Sequence, residues 1–312
     1  MFGAESRVLP SLAMDDATVR HYPDPDAYRR VVEPLLLERE AANCIQLGVL
    51  AALTRGDRRD AFLGTVERDG VPQLAAMRIA PHDLTLSQAR DVAAVEPLVE
   101  RLLAAERGAT FEPESVQEAL GRIAGVRGDP ETSEAFAAAW TAANGGEVET
   151  VATLNVYEAR DAHAADVPGH ATRATEDDHD LLAGWIHAFY AEAVPHEPQH
   201  AEAAVARWLA GGGRALWIWR TDAGPVALVG LGHPTPHGVR IRAVYTPPEH
   251  RGQGYAQAAV AAVTRHLLDE GRRPFVFADA SDAGANHVYA GVGFETVGEA
   301  HHLRFATGLR QG

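Results

Sequence analysis

The sequence predicts an α/β protein with a mixed sheet, repeated in two consecutive domains. Its 312 residues exceed the size of most single domains, and a chain that is 46% hydrophobic and 23% charged is typical of globular proteins. Helical and strand patterns alternate over residues 175–312, and residues 1–158 follow a similar outline. Residues 159–174 are polar and contain Pro and Gly, which predicts a linker.

The second half divides readily into elements. Two helices are predicted, one over residues 175–194 with Thr175 as N-cap and one over about 199–210. Three strand patterns follow, ALWIW, PVALVGLG and VRIRAVY, separated by Gly and Pro turns. A helix over about 254–269, the strand PFVFAD, a short helix near 283–290 and a last strand near 297–306 complete the order.

The first half has a similar order with less regular patterns. One long helix is predicted over YRRVVEPLLLEREAANCIQLGVLAAL, then strands AFLGTVE and VPQLAAMRIA on either side of an Arg68-Asp69-Gly70 turn. Helices follow, and the half ends with the strand pattern VETVATLNVYEAR.

The basic residues exclude several classes of enzyme. All 28 of them are arginine, so a lysine-dependent phosphate loop, a pyridoxal Schiff base and a lysine nucleophile are ruled out. The net charge of −15 disfavours nucleic acid as a partner and favours a cationic small molecule. Cys44, the single cysteine, excludes an internal disulfide and lies in an apolar helical run, where we expect it to be buried.

The sequence also bears on location. It has no apolar run of about 18 residues, and its first residues lack the basic start and apolar core of a secretory signal. We therefore expect a cytoplasmic protein with no membrane contact.

The stretch VYTPPEHRGQGYA, residues 244–256, changes abruptly from strand to turn to helix. A strand that ends in a glycine turn and leads into a helix presents unpaired N–H groups at the positive end of the helix dipole. Gly252 and Gly254 let the backbone approach a ligand without a Cβ in the way. The stretch therefore predicts a phosphate-binding turn.

Read together, three motifs resemble the GNAT N-acetyltransferases. RGQGYA at 251–256 fits the pattern R/Q-x-x-G-x-G/A of their acetyl-coenzyme A (acetyl-CoA) pyrophosphate loop, and VYTP at 244–247 fits the V-x-x-P end of the preceding strand. About 35 residues later, YAGVGF at 289–294 matches the family's tyrosine before a Gly-Phe pair. The sequence VYTPPEHRGQGYA further resembles that of a bacterial group of tandem GNAT proteins, which have this signature in the second domain.

The resemblance implies the cofactor contacts. The backbone of the strand end would pair with the pantetheine arm, the N–H groups of the glycine turn would hold the pyrophosphate, and Arg251 would pair with a phosphate. The asparagine often found seven residues before the family's tyrosine is Asp282 here, so we expect Asn286 to supply that contact instead. The predicted acetyl-CoA ligands are Val244, Tyr245, Thr246, Arg251, Gly252, Gln253, Gly254, Tyr255, Ala256 and Asn286.

The resemblance also implies catalytic roles. Tyr289 would lie near the coenzyme A sulfur and act as general acid. An ammonium acceptor must first lose a proton, and we take Glu192 as the candidate base, with His196, Glu197 and His233 as alternatives. No metal site is expected from HEPQH at 196–200 or from the adjacent pair His301 and His302.

The first half lacks the glycine turn. Where a phosphate loop would follow its strand it has APHDLTLSQARDVAA, and no glycine occurs between Gly70 and Gly108. We therefore predict a degenerate GNAT-like domain over 1–158 without a phosphate loop, and an active GNAT domain over 175–312.

The function predicted is transfer of an acetyl group from acetyl-CoA to a primary amine of a small molecule. Loops 194–200 and 232–238 would shape the acceptor pocket, and a monomer is favoured over a homodimer. Two alternatives stay open: a coenzyme A-binding sensor or scaffold without catalysis, and an acetyltransferase for protein N-termini or side chains.

Overall fold

The computed structural model describes residues 17–56, 60–108, 120–193, 195 and 200–306. The described residues form one twelve-stranded sheet with helices on both faces. The strands are β1 Ala17–His21, β2 Phe62–Arg68, β3 Val71–Arg78, β4 Leu84–Leu86, β5 Gly125–Gly128, β6 Glu147–Ala159, β7 His170–Arg173, β8 Ala215–Thr221, β9 Gly224–Pro234, β10 Gly238–Tyr245, β11 Arg273–Asp279 and β12 Phe294–Ala306. The helices are α1 Pro25–Leu37, α2 Cys44–Leu53, α3 Val95–Glu106, α4 Pro130–Asn144, α5 His179–Ala193, α6 Ala201–Leu209, α7 Tyr255–Asp269 and α8 Ala283–Val292.

The two halves of the chain exchange their last strands. The sheet order is β1-β2-β3-β4-β5-β12-β6-β11-β10-β9-β8-β7. Strand β6, from the first half, pairs antiparallel with β11 of the second half, and β12, from the second half, pairs antiparallel with β5 of the first. The two exchanged strands pair with each other along their whole length, from Phe294 opposite Ala159 to Ala306 opposite Glu147. Each half therefore depends on the other for a strand of its sheet.

The candidate site lies in the second half, where helices cover both faces of the sheet. The α7 face is covered by α7 and α8, and its core includes Ile241 and Val276. The α6 face is covered by α5 and α6, with Tyr245 in its core, and by α2 of the first half. At that helix Cys44 is buried against Phe275. Within the described residues, no helix has both the length and the hydrophobicity needed to cross a bilayer.

A buried carboxylate ties the first half to the second. Glu40, between α1 and α2, has a side chain that is 2% exposed. Its oxygens accept hydrogen bonds from the Thr235 hydroxyl at 2.5 Å, the His237 N–H at 2.8 Å and the His237 ring Nδ1 at 3.0 Å. The guanidinium of Arg273 lies 3.3 Å from Glu40 and also binds Glu158 on β6. The contact joins the α1–α2 connection, the β9–β10 turn, β11 and β6.

The predicted order of elements in the second half is confirmed, and the differences have local causes. Strand β7 lies in the stretch expected to be a linker; it is four residues long, mostly polar, and pairs only with β8. The predicted long helix is two helices separated by a turn, and in this turn the buried Asn43 amide donates to the Leu36 carbonyl at the end of α1. Strands β1, β4 and β5 were not predicted, since segments of three to five residues carry little periodicity.

Candidate active site

A bulge in β10 begins the site. Ala243 has a φ of +52°, which is uncommon for a residue with a Cβ, and the pairing with β9 shifts between Arg242 and Tyr245. Before the bulge Ile241 faces the α7 side, and after it Ala243 and Tyr245 face the α6 side. The bulge thus moves the odd-numbered side chains of the strand from the α7 face to the α6 face.

Strands β10 and β11 separate at the same point. They are parallel, and their pairing ends at Ile241 opposite Val276, although β11 continues to Asp279 with its other edge paired to β6. The edge of β10 from Arg242 onward therefore faces a gap between the strands. Near this edge the Thr246 hydroxyl is buried and has no hydrogen-bond partner within the described residues. An extended ligand chain can pair with such an edge as an added strand would.

The turn after β10 leaves a helix N-terminus uncapped. A 3-10 turn over Pro248–His250 leads through Gly252 at φ +71° to Gly254 at φ +84°, the N-cap of α7. No side chain caps the helix, no acidic residue lies in its first turn, and the first N–H with an acceptor is that of Ala258, which donates to Gly254 O. Among the described residues the N–H groups from Gly252 to Ala256 have no acceptor. The arrangement suits a phosphate.

The two glycines of this turn differ in their surroundings. A Cβ on Gly252 would meet no atom within 4 Å, so there is space for a side chain at this position. Glycine is favoured there by the left-handed backbone conformation alone. A Cβ on Gly254 would lie 3.1 Å from Val167 in the segment between β6 and β7. A side chain at Gly252 therefore tests ligand binding more cleanly than one at Gly254.

Tyr289 lies on α8, against the α7 face. Its ring packs 6.0 Å from the ring of Tyr157 and 5.8 Å from that of Phe294, and the residue is 7% exposed. Within the described residues its hydroxyl makes no hydrogen bond. Burial raises the pKa of the phenol, and the negative charge of Asp282 adds to the shift. The group is a protonated donor at neutral pH.

Comparisons with known proteins identify the fold on which this site lies. The family model of FR47-like proteins matches residues 225–303, which run from β9 into β12. The chain is similar in structure to the GCN5-related N-acetyltransferase from Sphaerobacter thermophilus, with 18% identity, 95% of this chain and 98% of that one covered, and a TM-score of 0.56. It is also similar to the GCN5-related N-acetyltransferase from Kribbella flavida, with 18% identity, 86% of this chain and 96% of that one covered, and a TM-score of 0.52.

A third solved structure has the tandem layout. It is a tandem GNAT protein from the clavulanic acid biosynthesis pathway, with 13% identity, 92% of this chain and 97% of that one covered, and a TM-score of 0.55. The chain has the GNAT fold. No curated protein shows a significant match to the sequence.

The first half of this GNAT fold contributes side chains to the site in the second. Tyr157 on β6 donates a hydrogen bond to Asn286 Oδ1 at 2.7 Å, and Asn155 Nδ2 donates to the same oxygen at 3.2 Å. Asn286 is on α8, one turn before Tyr289. The sequence did not indicate Tyr157 or Asn155, since only the strand exchange brings them here.

Asn286, predicted as a cofactor contact, makes hydrogen bonds to three neighbouring parts of the protein. Its amide nitrogen donates to the carbonyls of Asp279 at 2.8 Å and Asp282 at 2.7 Å, and its oxygen accepts from Tyr157. Both ends of the amide are thus engaged in fixing the start of α8 to β11 and β6. Asp282 is the N-cap of that helix and accepts from Ala285 N.

Arg251 and Glu192, predicted in separate roles, form an ion pair. Arg251 Nη2 donates to Glu192 Oε2 at 2.6 Å, Arg251 Nε donates to the Thr246 carbonyl at 2.9 Å, and the guanidinium lies 5.7 Å over the Tyr245 ring. Both charged groups are about half exposed. A phosphate would compete with Glu192 for Arg251, and an acceptor amine would compete with Arg251 for Glu192.

The other predicted residues of the turn lie beside the helix start. Gln253 Nε2 donates to the Glu249 carbonyl at 3.2 Å, and the Tyr255 ring meets the His250 ring edge-on at 6.4 Å. Ala256 is in the first turn of α7.

The remaining histidines have identified surroundings. His233 lies near α2, where a Cβ on Gly48 would be 3.5 Å from its Cβ, and its Nδ1 is 3.2 Å from the Gly212 carbonyl. His301 and His302 pair with Glu134 and Asp83. His196 and Glu197 lie outside the described residues.

The first half has a different structure where its phosphate loop would lie. A 3-10 turn over Val92–Ala94 precedes α3, and the Asp91 carboxylate accepts from Ala93 N at 3.0 Å. Glu96 adds a second acidic residue in the first turn of α3. Two carboxylates at this helix start repel a phosphate.

Proposed function

We propose that residues 175–312, completed by strand β6, transfer an acetyl group from acetyl-CoA to the primary amine of a small molecule. The observation that carries the proposal is the open edge of β10 followed at once by the uncapped start of α7. An extended ligand arm on that edge leads its phosphates directly to the free N–H groups. The similarity of fold to solved N-acetyltransferases supports acyl transfer.

The residues present fit acetyl-CoA, which would supply an activated thioester. Val244 and Thr246 would pair with its pantetheine arm through their backbone, and the N–H groups from Gly252 to Ala256 would hold its pyrophosphate. The buried Thr246 hydroxyl is a polar group without a partner in the described part of the chain and would gain one from the ligand.

In the transfer itself, the acceptor reacts as the neutral amine: its nitrogen forms a bond to the thioester carbon and gives one proton to a base. The carbon–sulfur bond then breaks, and the phenol of Tyr289 gives its proton to the leaving thiolate. Glu192 remains our candidate base; it reaches the amine only when its ion pair with Arg251 opens.

We further propose that the first half binds no acetyl-CoA. The carboxylates of Asp91 and Glu96 at the start of α3 support this assignment. The first half instead supplies Tyr157, whose hydroxyl fixes Asn286 on α8. The cytoplasmic location and the monomeric state expected from the sequence stay predictions.

Calorimetric titration with acetyl-CoA tests the proposal. We expect one site per chain, weakened at least about tenfold in Gly252→Asp and unchanged in Gly271→Asp, which places the same side chain at a similar φ of +69° at the other end of α7. Two sites would contradict the assignment of the first half, and no site would contradict the proposal as a whole.

A screen of amines with a thiol-release assay then separates the enzyme from its two alternatives. Turnover with small amines is the expected result. Binding without turnover on any amine would favour a coenzyme A sensor or scaffold, and turnover only with peptide N-termini or side chains would favour a protein acetyltransferase.

A further inference from the structure

Arg242 lies where β10 and β11 separate, on the α6 face. It follows Ile241, the last residue of β10 that pairs with β11, and it precedes the bulge. Since Ile241 belongs to the core of the α7 face, the side chain of Arg242 is on the opposite side, and its guanidinium lies 5.2 Å over the ring of Trp208 on α6. It makes no hydrogen bond or ion pair with any residue that the structure describes.

A second arginine lies on the other flank of the same point. Arg240 precedes Arg242 by two residues and shares its face, and its guanidinium lies 5.6 Å over the ring of Phe277. Phe277 immediately follows Val276, the last residue of β11 that pairs with β10. The two guanidinium groups therefore lean to opposite sides of the gap, one toward α6 and one toward β11.

The neighbouring strand leaves room for these side chains. Gly230 and Gly232 of β9 lie on the α6 face, and a Cβ on Gly230 would be 3.3 Å from the Trp208 ring. The Cδ of Arg242 is 3.8 Å from the position of a Cβ on Gly232. A side chain on either glycine would fill the surface that Trp208 and Arg242 now occupy. Because Gly230 and Gly232 have no side chains, Trp208 and Arg242 can lie directly over this part of the sheet.

Three carboxylates of the neighbouring elements that the structure describes are paired with other arginines. Glu192 is paired with Arg251, and Glu40 and Glu158 are paired with Arg273. Arg242 therefore brings a positive charge to the α6 face of the gap, although the whole chain carries −15. A planar guanidinium binds carboxylate or phosphate oxygens with paired hydrogen bonds, and an aromatic ring beneath it fixes its plane.

In the proposed reaction the acceptor would approach the thioester from this face, because the other face is filled. Tyr157, Tyr289 and the buried residues of α7 fill the opposite face at the gap. We infer that the amine acceptor also carries a carboxylate or phosphate a few bonds from its nitrogen, and that Arg242, with Arg240 beside it, binds this anion. The inference rests on the proposed function and replaces the cationic acceptor that the net charge had favoured.

Matched amines that differ only in the anion test this inference. The pairs are phosphoethanolamine with ethanolamine, and 4-aminobutyrate with butylamine, with spermidine as the cationic reference. Each is measured with the wild type, Arg242→Gln, Arg242→Lys and the control Arg207→Gln, which removes an exposed arginine from α6 next to Trp208. Turnover is followed by thiol release, and binding to the coenzyme A-loaded protein is followed by calorimetry.

We expect the wild type to use the anionic member of at least one pair at least about tenfold better than its partner. Arg242→Gln should raise the KM for that anionic amine about 10- to 100-fold, the range expected for hydrogen bonds to a charged group. It should leave the neutral partner and acetyl-CoA affinity unchanged. Arg242→Lys should recover part of the loss, and Arg207→Gln should match the wild type.

Other results separate this inference from the proposed function. Preference for spermidine or for the neutral amines, or an equal effect of Arg242→Gln on both members of a pair, overturns the anion site and leaves acetyl transfer standing. Binding of an anionic amine that depends on Arg242 without any turnover keeps the anion site and overturns the transfer. Absence of both overturns the inference.

Discussion

Replacing Glu40 by glutamine should weaken the contact between the two halves of the chain. The carboxylate is almost fully buried and accepts four hydrogen bonds, all from groups of the second half: Thr235, the N–H and ring of His237, and Arg273. In Glu40→Gln the amide NH₂ replaces one of the two oxygens. It faces donors that it cannot satisfy, and Arg273 loses part of its negative counterpart.

The size of the effect follows from the burial and the partners. Removing one member of a buried charged pair costs about 3 to 5 kcal/mol. Glutamine keeps one oxygen for Thr235, which places the expected loss near the lower end. For 312 residues, the usual entropy of unfolding per residue converts 3 to 5 kcal/mol to a decrease in Tm of about 5 to 8 °C.

Denaturant and thermal unfolding at several pH values check this prediction. Burial alone would raise the pKa of Glu40, but the hydrogen bonds from Thr235 and His237 outweigh it and the pKa is lowered in the folded state. The stabilisation is therefore present above the unfolded pKa of about 4.3 and is lost as the pH falls through the folded pKa. The difference between wild type and Glu40→Gln should be full at pH 7 and shrink below about pH 4.

Glu38→Gln is the control for this experiment. Glu38 lies two residues away, is about half exposed and pairs with Arg90 on the surface, so its loss should cost at most about 1 kcal/mol. Equal stability of the two variants at pH 7, or a deficit of Glu40→Gln that stays constant with pH, would refute the reasoning.

Three further predictions concern the site. Tyr289→Phe should lower kcat about 10²- to 10⁴-fold with the acetyl-CoA Kd unchanged in calorimetry, and an unchanged kcat would exclude the general-acid role. Gly252→Asp should weaken acetyl-CoA binding at least about tenfold, whereas Gly271→Asp, with the same strain and open surroundings, should bind normally; equal affinities would place the phosphates elsewhere. Tyr157→Phe loses the hydrogen bond to Asn286, so the free energy of unfolding should fall by about 0.5 to 1.5 kcal/mol and kcat should fall at constant acetyl-CoA Kd; an unchanged kcat would mean that the first half has no part in catalysis.

The features that the sequence predicted are those encoded within a few consecutive residues. The turn at Gly252 and Gly254 and the helix after it depend on local conformation, and both glycines have the positive φ that makes them necessary. The order of strands and helices in the second half follows from local periodicity in the same way.

The features that the sequence did not predict depend on pairing between distant segments. Tyr157 reaches α8 only because β6 is exchanged between the halves, and the four-residue strand β7 forms only because β8 offers it an edge. The bulge at Ala243 has no glycine to indicate it. The orientation of Arg242 relative to the gap could not be inferred without knowing where β10 and β11 part.

The exchange of last strands also orders the events of biosynthesis. When residues 1–159 have left the ribosome, β6 has been made, but its partners β11 and β12 have not, and β5 has only β4 beside it. Unpaired strand edges of this kind are templates for aggregation. One edge of β6 has no partner until residues 273–279 are synthesised, and its other edge and the outer edge of β5 have none until residues 294–306 are synthesised. Strand β12 thus completes the sheet of the first half by pairing with β5 and β6. A chain truncated before β12 would leave both halves without a complete sheet.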